Sequence, residues 1–366
     1  MEDLPTELRR GWTTGACATA AVKAGLMAFW GGEALARVEI TLPRGEKHVF
    51  EVAERENGAD FVRVSITKDA GDDPDVTHGA LIQATVRQAK EGVVFKAGNG
   101  VGRVTKPGLP IAPGEPAINP VPRRMMRWAV WSAGFEAGRV DRPPPVDFFA
   151  EPEPELPAGL GVEITISIPG GEALAAKTWN PRLGIKGGLS VLGTTGIVRP
   201  FSCAAWIASI HRGIDVARAT GLRHVAGCTG ATSERSVRDL YDLPEGAMLD
   251  MGDFAGGVLK YLRNHPVDRV TIGGGIGKMA KLAQGAMDLH SARSQVDFMA
   301  LSQWVDDARL EGANTALEAY EIAGAPLAEA IAKRALGAAL GVLKTEAIAL
   351  DVVVIDRKGA VIARAR

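Results

Sequence analysis

The sequence predicts two domains, a mixed α+β half followed by an α/β half, and three observations carry that reading. The chain has 366 residues, more than one hydrophobic core usually organises. Hydrophobic residues make up 46% and aromatic residues only 5%, the Ala/Val/Leu/Gly-rich balance of a protein with a buried sheet and helices. The periodicity then changes along the chain, from hairpins with few helices to strand and helix in strict alternation. The boundary is placed so that residues 1–186 form the first domain and 187–366 the second.

In the first half, Thr13-Thr14-Gly15 precedes a small-residue helix, Ala16 to Trp30, and either threonine serves as its N-cap. Val38–Leu42 and His48–Val52 read as strands around the turn Pro43-Arg44-Gly45-Glu46. Phe61–Thr67 alternates apolar and polar residues and is a further strand. An acidic loop, Lys68 to Gly79, follows it directly. Leu81–Val86 and Val93–Lys96 are strands, followed by the glycine-rich Ala97–Gly108. Pro122–Gly138 is a helix carrying Arg123, Arg124 and Arg127. Pro143–Pro157 is proline-rich and acidic, an extended linker or insertion. Val162–Ile168 closes the half as a β-branched strand before the turn Pro169-Gly170-Gly171-Glu172.

The second half opens on the apolar run Leu189–Leu192, read as a buried strand, and the turn Gly193-Thr194-Thr195-Gly196. Pro200–Thr220 is a helix, apolar enough from Phe201 to Ile210 to be packed, with Ser202 as a plausible cap. Then follow strand His224–Gly227, helix Glu234–Tyr241, strand Met248–Met251, helix Phe254–Asn264, strand Arg269–Gly273 and helix Lys278–Met287. Helices Ser302–Gly312 and Pro326–Lys344, strand Leu350–Asp356 and a hairpin-like tail complete the chain. Such alternation argues for a parallel sheet covered on both faces, with ligands at the carboxyl ends of its strands. Three glycine-rich turns fall at strand ends: Gly193–Gly196, Gly227–Glu234 and Gly273–Lys278.

Composition removes several classes. A net charge of −1 gives no global field for nucleic acid. No uninterrupted apolar run reaches the ~18 residues of a membrane span. The N-terminal stretch Met1–Arg10 is charged and carries no leader pattern. Cys17, Cys203 and Cys228 lie far apart, which indicates neither a zinc ribbon nor a disulfide framework and suits a reducing cytoplasm. Gly273–Lys278 is no P-loop, because Ile272 stands where a glycine is needed and Met279 where Ser or Thr is needed. The pattern suits a phosphate-poor ligand, and a mononucleoside such as S-adenosylmethionine fits.

Arg10–Ala24 (RGWTTGACATAAVKA), Lys68–Ala80 (KDAGDDPDVTHGA), Ile118–Met125 (INPVPRRM) and Trp179–Ser202 form an ordered set with Met251–Lys260 and Gly273–Asp297. From about Leu8 to Ala363 the chain resembles the CbiD family, the cobalt-precorrin-5B C1-methyltransferases of anaerobic cobalamin (vitamin B12) biosynthesis. The resemblance implies a smaller α+β N-terminal domain and a Rossmann-like α/β C-terminal domain. It implies methyl transfer from S-adenosylmethionine to C1 of the contracted corrinoid ring, giving cobalt-precorrin-6A, with cobalt present only as part of the substrate. Its partner is a small-molecule corrinoid, with no nucleic acid and no membrane, and a homo-oligomer is compatible with it. The chain departs from the family pattern at Pro143–Pro157 and at Ala231, where a second glycine is expected. Without the resemblance, the same features fit a nucleoside-binding regulatory domain or a kinase-like phosphotransferase, and the failed P-loop counts against the kinase.

These readings give the candidate residues. Cofactor contacts are expected at Gly193, Thr194, Thr195 and Gly196, at Gly230 and Thr232, and at Gly273, Gly274, Gly275 and Gly277. A proton leaves during ring methylation, and Asp69, Asp72 and Asp73 are the acceptor candidates. With Asp75 they crowd one loop, where mutual repulsion can lift one pKa. A calcium loop lacks the required spacing, and no metal site is expected. The substrate's carboxylates call for cations beside turns: Arg103, Arg182, Lys186 and Lys278, with Arg9, Arg10, Lys106 and Arg199 behind them. Thr13, Thr14 and His290 join the substrate set, His290 as a polar contact or a cobalt ligand. The cysteines are expected to pack.

Overall fold

The computed structural model describes residues 8–150 and 152–366; Met1–Glu7, most of the stretch examined for a leader, and Glu151 in the proline-rich stretch lie outside the described residues. Two compact units are present, the first running to Ser202 and the second from Cys203.

The first unit contains β1 (Gly11–Trp12), α1 (Thr14–Gly31), β2 (Arg37–Thr41), β3 (Lys47–Glu51), β4 (Glu54–Asn57), β5 (Phe61–Thr67), β6 (Leu81–Gln88), β7 (Val93–Ala97) and β8 (Arg103–Val104). It continues with α2 (Pro120–Glu136), β9 (Val162–Ser167), α3 (Gly171–Ala175), β10 (Ile185–Lys186) and β11 (Ile197–Val198). Its main sheet runs β4-β5-β6-β9-β7, antiparallel except for the β7–β9 pair. α1 lies on β5 and β6 and beside α2. The helix reads as alanine-rich because it has no wet face over most of its length: Ala16, Ala18, Ala20, Ala21 and Leu26 are fully buried. The Thr13 hydroxyl accepts the Ala16 N–H at 3.2 Å, the expected cap, and Gly32 ends the helix at φ 70°.

One expectation for this unit changes and another is narrowed. Leu189–Leu192 forms no strand of the parallel sheet; it makes single bridges, Leu189 to Val101 and Val191 to Ile118. Short apolar runs are ambiguous when their partner is a loop rather than a sheet. Of the two readings of the proline-rich stretch, its contacts fit an insertion and not a free linker. Phe148 inserts into the core, edge-on to Trp131, whose Nε1 donates to the Arg142 carbonyl at 2.9 Å.

The second unit contains α4 (Cys203–Ala219), β12 (His224–Cys228), α5 (Ala231–Tyr241), β13 (Met248–Leu249), α6 (Ala255–Leu262), β14 (Arg269–Gly275) and α7 (Ile276–Ala283). Then come α8 (Phe298–Val305), α9 (Ala316–Ala323), α10 (Ala325–Leu343), β15 (Ala349–Ile355) and β16 (Val361–Ala365). The sheet order is β13-β12-β14-β15-β16, parallel except for the terminal β16. Alternate residues face opposite layers. Val225, Val352 and Val354 pack with the cluster that includes Leu259, Met279 and Ile331, while Ala226, Val353 and Ile355 pack with Val237 of α5. Both faces are therefore covered, as the alternation predicts.

α4 is only partly buried over its first turns, where Trp206 Nε1 donates to the Asp250 carbonyl at 2.8 Å and its ring lies against Phe254. Ala204, Ala205, Trp206 and Ala208 are exposed, and burial begins at Ile210. The expected helix Ser302–Gly312 is split, because Asp306 adopts the left-handed conformation at φ 53° and ends α8. Among the described residues, no helix is long and apolar enough to cross a membrane.

Candidate functional site

A cleft of about 240 Å³ opens where β12, β14 and β15 end. It is lined by Thr229 to Ser233, by Gly275, and by Ile355, Asp356 and Arg357. The elements that build it follow from the sequence. β12 ends at Cys228, and the Thr229 N–H donates to the Gly273 carbonyl at 3.0 Å, tying this strand end to β14. α5 then starts at Ala231, so the orphan N–H groups of its first turn border the cleft. Asp356 Oδ1 accepts the Lys358 and Ala360 N–H groups, each at 2.8 Å, which fixes the β15–β16 turn at the opposite lip.

The glycines at the end of β14 separate sharply. A Cβ on Gly273 would fall 2.6 Å from Val237 Cγ2, and one on Gly274 would fall 2.7 Å from Met279 Cε. These two are glycine so that the helices can close on the sheet. Gly277 lies in α7, where a Cβ would meet only Ala316 at an ordinary 3.7 Å. At Gly275 a Cβ meets nothing within 4 Å, and the residue lines the cleft. Gly230, with extended backbone, is also open. Of the expected cofactor residues, the cleft thus gathers Gly230, Thr232 and Gly275. Sequence reasoning missed Ile355, Asp356 and Arg357. The signal was the carboxyl end of the strand Leu350–Asp356 itself, which carries no glycine to attract notice.

Gly193–Gly196 belongs to the first unit and does not end a strand of this sheet. The expectation that it shares one sheet with Gly273–Gly277 fails. The turn instead seats the start of α1. Thr13 N–H donates to the Gly196 carbonyl and Gly15 N–H to the Leu192 carbonyl, each at 3.0 Å. A Cβ on Gly193 would fall 2.3 Å from Thr13 Oγ1, and one on Gly196 2.6 Å from Leu42 Cδ2. Thr13 and Thr14 are buried beneath it. Thr195 Oγ1 receives the Ile197 N–H of its own turn at 3.2 Å, and Thr194 is exposed.

The acidic loop is a set of clamps. Asp69 takes a two-pronged ion pair from Arg9 and also accepts the Gly71 N–H at 2.9 Å. Asp72 accepts the Arg9 N–H at 2.6 Å, and Asp73 accepts the Phe201 N–H at 2.9 Å. Asp75 binds the buried ammonium of Lys68 at 2.5 Å and the Thr77 N–H at 2.8 Å. At Asp69 and Asp75 the carboxyl pKa is lowered rather than lifted. The Arg9 hydrogen bond holds the Asp69 carboxyl down at about 2. Burial alone would raise Asp75, but Lys68 and Thr77 bring it below the usual range. Both therefore stay ionised and paired at neutral pH, and Asp69 is a poor proton acceptor. Burial pushes the nearby Cys17 thiol up to about 12, consistent with a packing role.

The expected cations divide. Lys278 is committed to structure, 2.5 Å from Asp253 and donating to the Leu289 carbonyl at 3.0 Å. That pairing, rather than a ligand, explains a lysine at a helix start. His290 is exposed, its Nδ1 accepting the Ala292 N–H at 3.2 Å. Arg9 is held by Asp69. Arg103, Lys106, Arg182 and Lys186, by contrast, come together. β8 pairs with β10 so that Arg103 opposes Lys186, and Lys106 Nζ donates to the Arg182 carbonyl at 3.3 Å. Among the described residues, no group of three or more His, Cys, Asp or Glu side chains could hold a metal ion.

Comparison with known proteins agrees with the ordered motifs. The family described as CbiD matches residues 1–200, and that described as CbiD, C-terminal domain, matches residues 288–366. A curated protein of Brucella anthropi named cobalt-precorrin-5B C(1)-methyltransferase is 55% identical, over 98% of this chain and 96% of its own length. One of the same name from Paramagnetospirillum magneticum is 56% identical, over 97% of each chain. A crystal structure of cobalamin biosynthesis protein (cbiD) from Archaeoglobus fulgidus is 25% identical and covers 87% of this chain and 85% of that one. The TM-score between the two is 0.40.

Proposed function

The chain belongs to the CbiD family, and from that membership we propose that it methylates C1 of cobalt-precorrin-5B with S-adenosylmethionine as donor, in cobalamin biosynthesis. We read the second unit as Rossmann-like and as the seat of the donor. The single observation that carries this placement is the cleft at the carboxyl ends of β12, β14 and β15, with open space at Gly275. Its volume lies below the ~300–1,000 Å³ of whole small-molecule pockets, so it suits part of a mononucleoside. Gly230 and Thr232 offer backbone donors and a hydroxyl, while the Ser233 hydroxyl is spent on the Gly230 carbonyl at 2.8 Å, and Gly275 allows close approach.

When bound, S-adenosylmethionine supplies an electrophilic methyl group. This chain's residues then have two tasks, holding donor and ring carbon in line and keeping water out. Asp69 and Asp75 shape the first unit rather than accept the departing proton, because each is held by a cation, which leaves Asp72 and Asp73 as the acceptor candidates. Cobalt arrives within the macrocycle. Three free thiols support a reducing, cytoplasmic setting.

The test is the substitution Gly275→Val. Gly275 has φ −70° and ψ 159°, a conformation any residue adopts, and its Cβ direction is open. The variant should therefore fold with an unchanged near-ultraviolet spectrum and lose at least about tenfold in S-adenosylmethionine affinity by calorimetry. Wild-type affinity in the folded variant would remove this cleft from the donor site. Transfer of one methyl group to cobalt-precorrin-5B under anaerobic conditions, read by mass, tests the activity itself.

A further inference from the structure

Cations opposite one another in a sheet repel and weaken it. β8 and β10 are a two-residue ladder in which Arg103 and Lys186 are direct partners, so their side chains leave the same face. Both residues are exposed. Arg103 spends one donor on the Gly114 carbonyl at 3.2 Å, and neither residue has an acidic partner among the described residues. The acid on this loop, Glu115, pairs with Arg123 at 3.2 Å instead.

The frame beneath the pair is rigid. Thr105 donates to the Gly184 carbonyl through its N–H at 2.8 Å and through its hydroxyl at 2.7 Å. Gly184 sits at φ 76°, and a Cβ there would fall 2.5 Å from Lys106 Cγ, so the lysine stem is laid directly across the turn. The Lys106 ammonium reaches the Arg182 carbonyl, and the Arg182 guanidinium stacks on Trp179 at 4.3 Å. A well-anchored surface that concentrates like charge without a counter-charge is built at a cost in stability, and an anionic ligand is what offsets that cost.

We propose that the β8–β10 ladder is a carboxylate-binding site, in which Arg103 and Lys186 grip acidic side chains on the rim of the macrocycle while Lys106 and Arg182 flank them. This rests on the methyltransferase reading for the identity of the ligand, and on the ladder alone for its chemistry. Two separated cations suit two separate carboxylates, so the site selects a polycarboxylate over a ligand with one acidic group.

The test uses the full chain and the variants Arg103→Gln, Lys186→Gln and the double variant. With cobalt-precorrin-5B, each single change should raise KM about tenfold and the double change about a hundredfold. S-adenosylmethionine affinity should be unaltered, and Tm should be unchanged or higher because the repulsion is relieved. Wild-type KM in the double variant would overturn the proposal, and so would a fall in Tm that tracks the rise in KM. A second arm measures binding of cobyrinic acid, with its fully esterified form as the neutral control. Wild-type protein should prefer the acid, and the double variant should lose that preference; equal binding of acid and ester to wild type would overturn the ladder site. If wild-type protein transfers no methyl group, the enzymatic reading fails, and the cobyrinic acid arm still decides the ladder.

Discussion

At Gly193 an added Cβ would lie 2.3 Å from a threonine hydroxyl; at Gly275 it would meet nothing within 4 Å. The first position adopts φ 136°, which side chains rarely tolerate, and the second sits at an ordinary −70°. Both lie in short glycine-rich turns after apolar stretches. In the first unit the glycine is there because the protein itself fills the space, holding the start of α1 against the turn. In the second unit the space is open, and it is the room the proposed donor site would use. Glycine at a turn signals a ligand only when the room it leaves stays empty.

That contrast can be broken by experiment. The largest effect is expected from Gly193→Ala, where backbone strain and overpacking together should cost about 2–5 kcal/mol. A denaturant midpoint close to wild type would show that the turn yields and that the contrast is false. Gly273→Ala should cost about 1–3 kcal/mol through contact with Val237 and Cys228 only, because its backbone needs no left-handed conformation. A stabilised variant would mean that the sheet face is loosely packed there. Gly275→Val, the donor-site test, should change stability by no more than about 0.5 kcal/mol, and a large loss would place it with the packing glycines.

The smallest effect concerns the acidic clamp. Asp69 titrates lower in the folded state, at about 2, than in the unfolded chain. Its stabilising contribution is therefore complete above about pH 4 and is lost as the pH falls toward 2. Asp69→Asn should flatten the Tm profile slightly over that interval, by little because the pair is exposed to solvent. Profiles that run parallel would show that the pair contributes nothing.

Much of this architecture was legible because the signals were local. The period-two pattern of Phe61–Thr67 and the threonine cap before Ala16 both depend on neighbours a few residues away, and both stand as expected. The alternation after residue 220 similarly announced a covered parallel sheet. What sequence could not supply was the company each motif keeps. Leu189–Leu192 looks like a strand, and only the loops bearing Val101 and Ile118 show that it pairs outside any large sheet. Four clustered aspartates suggested a raised pKa until Arg9, some 60 positions away, was found against Asp69. Lys278 looked reserved for a ligand until Asp253 came within 2.5 Å. Arg103 and Lys186, named from turn proximity alone, are brought opposite one another by the β8–β10 register, with Lys106 reaching Arg182 beside them.

The parallel sheet of the second unit ends on one side in β13, two residues long, and on the other in the reversed strand β16, which carries Arg364 and is followed by Arg366. A sheet margin that is too short, or lined with charge, offers a poor template for another strand. Partner chains are thereby discouraged from adding to this sheet by backbone pairing, whether as ordered assembly or as aggregate.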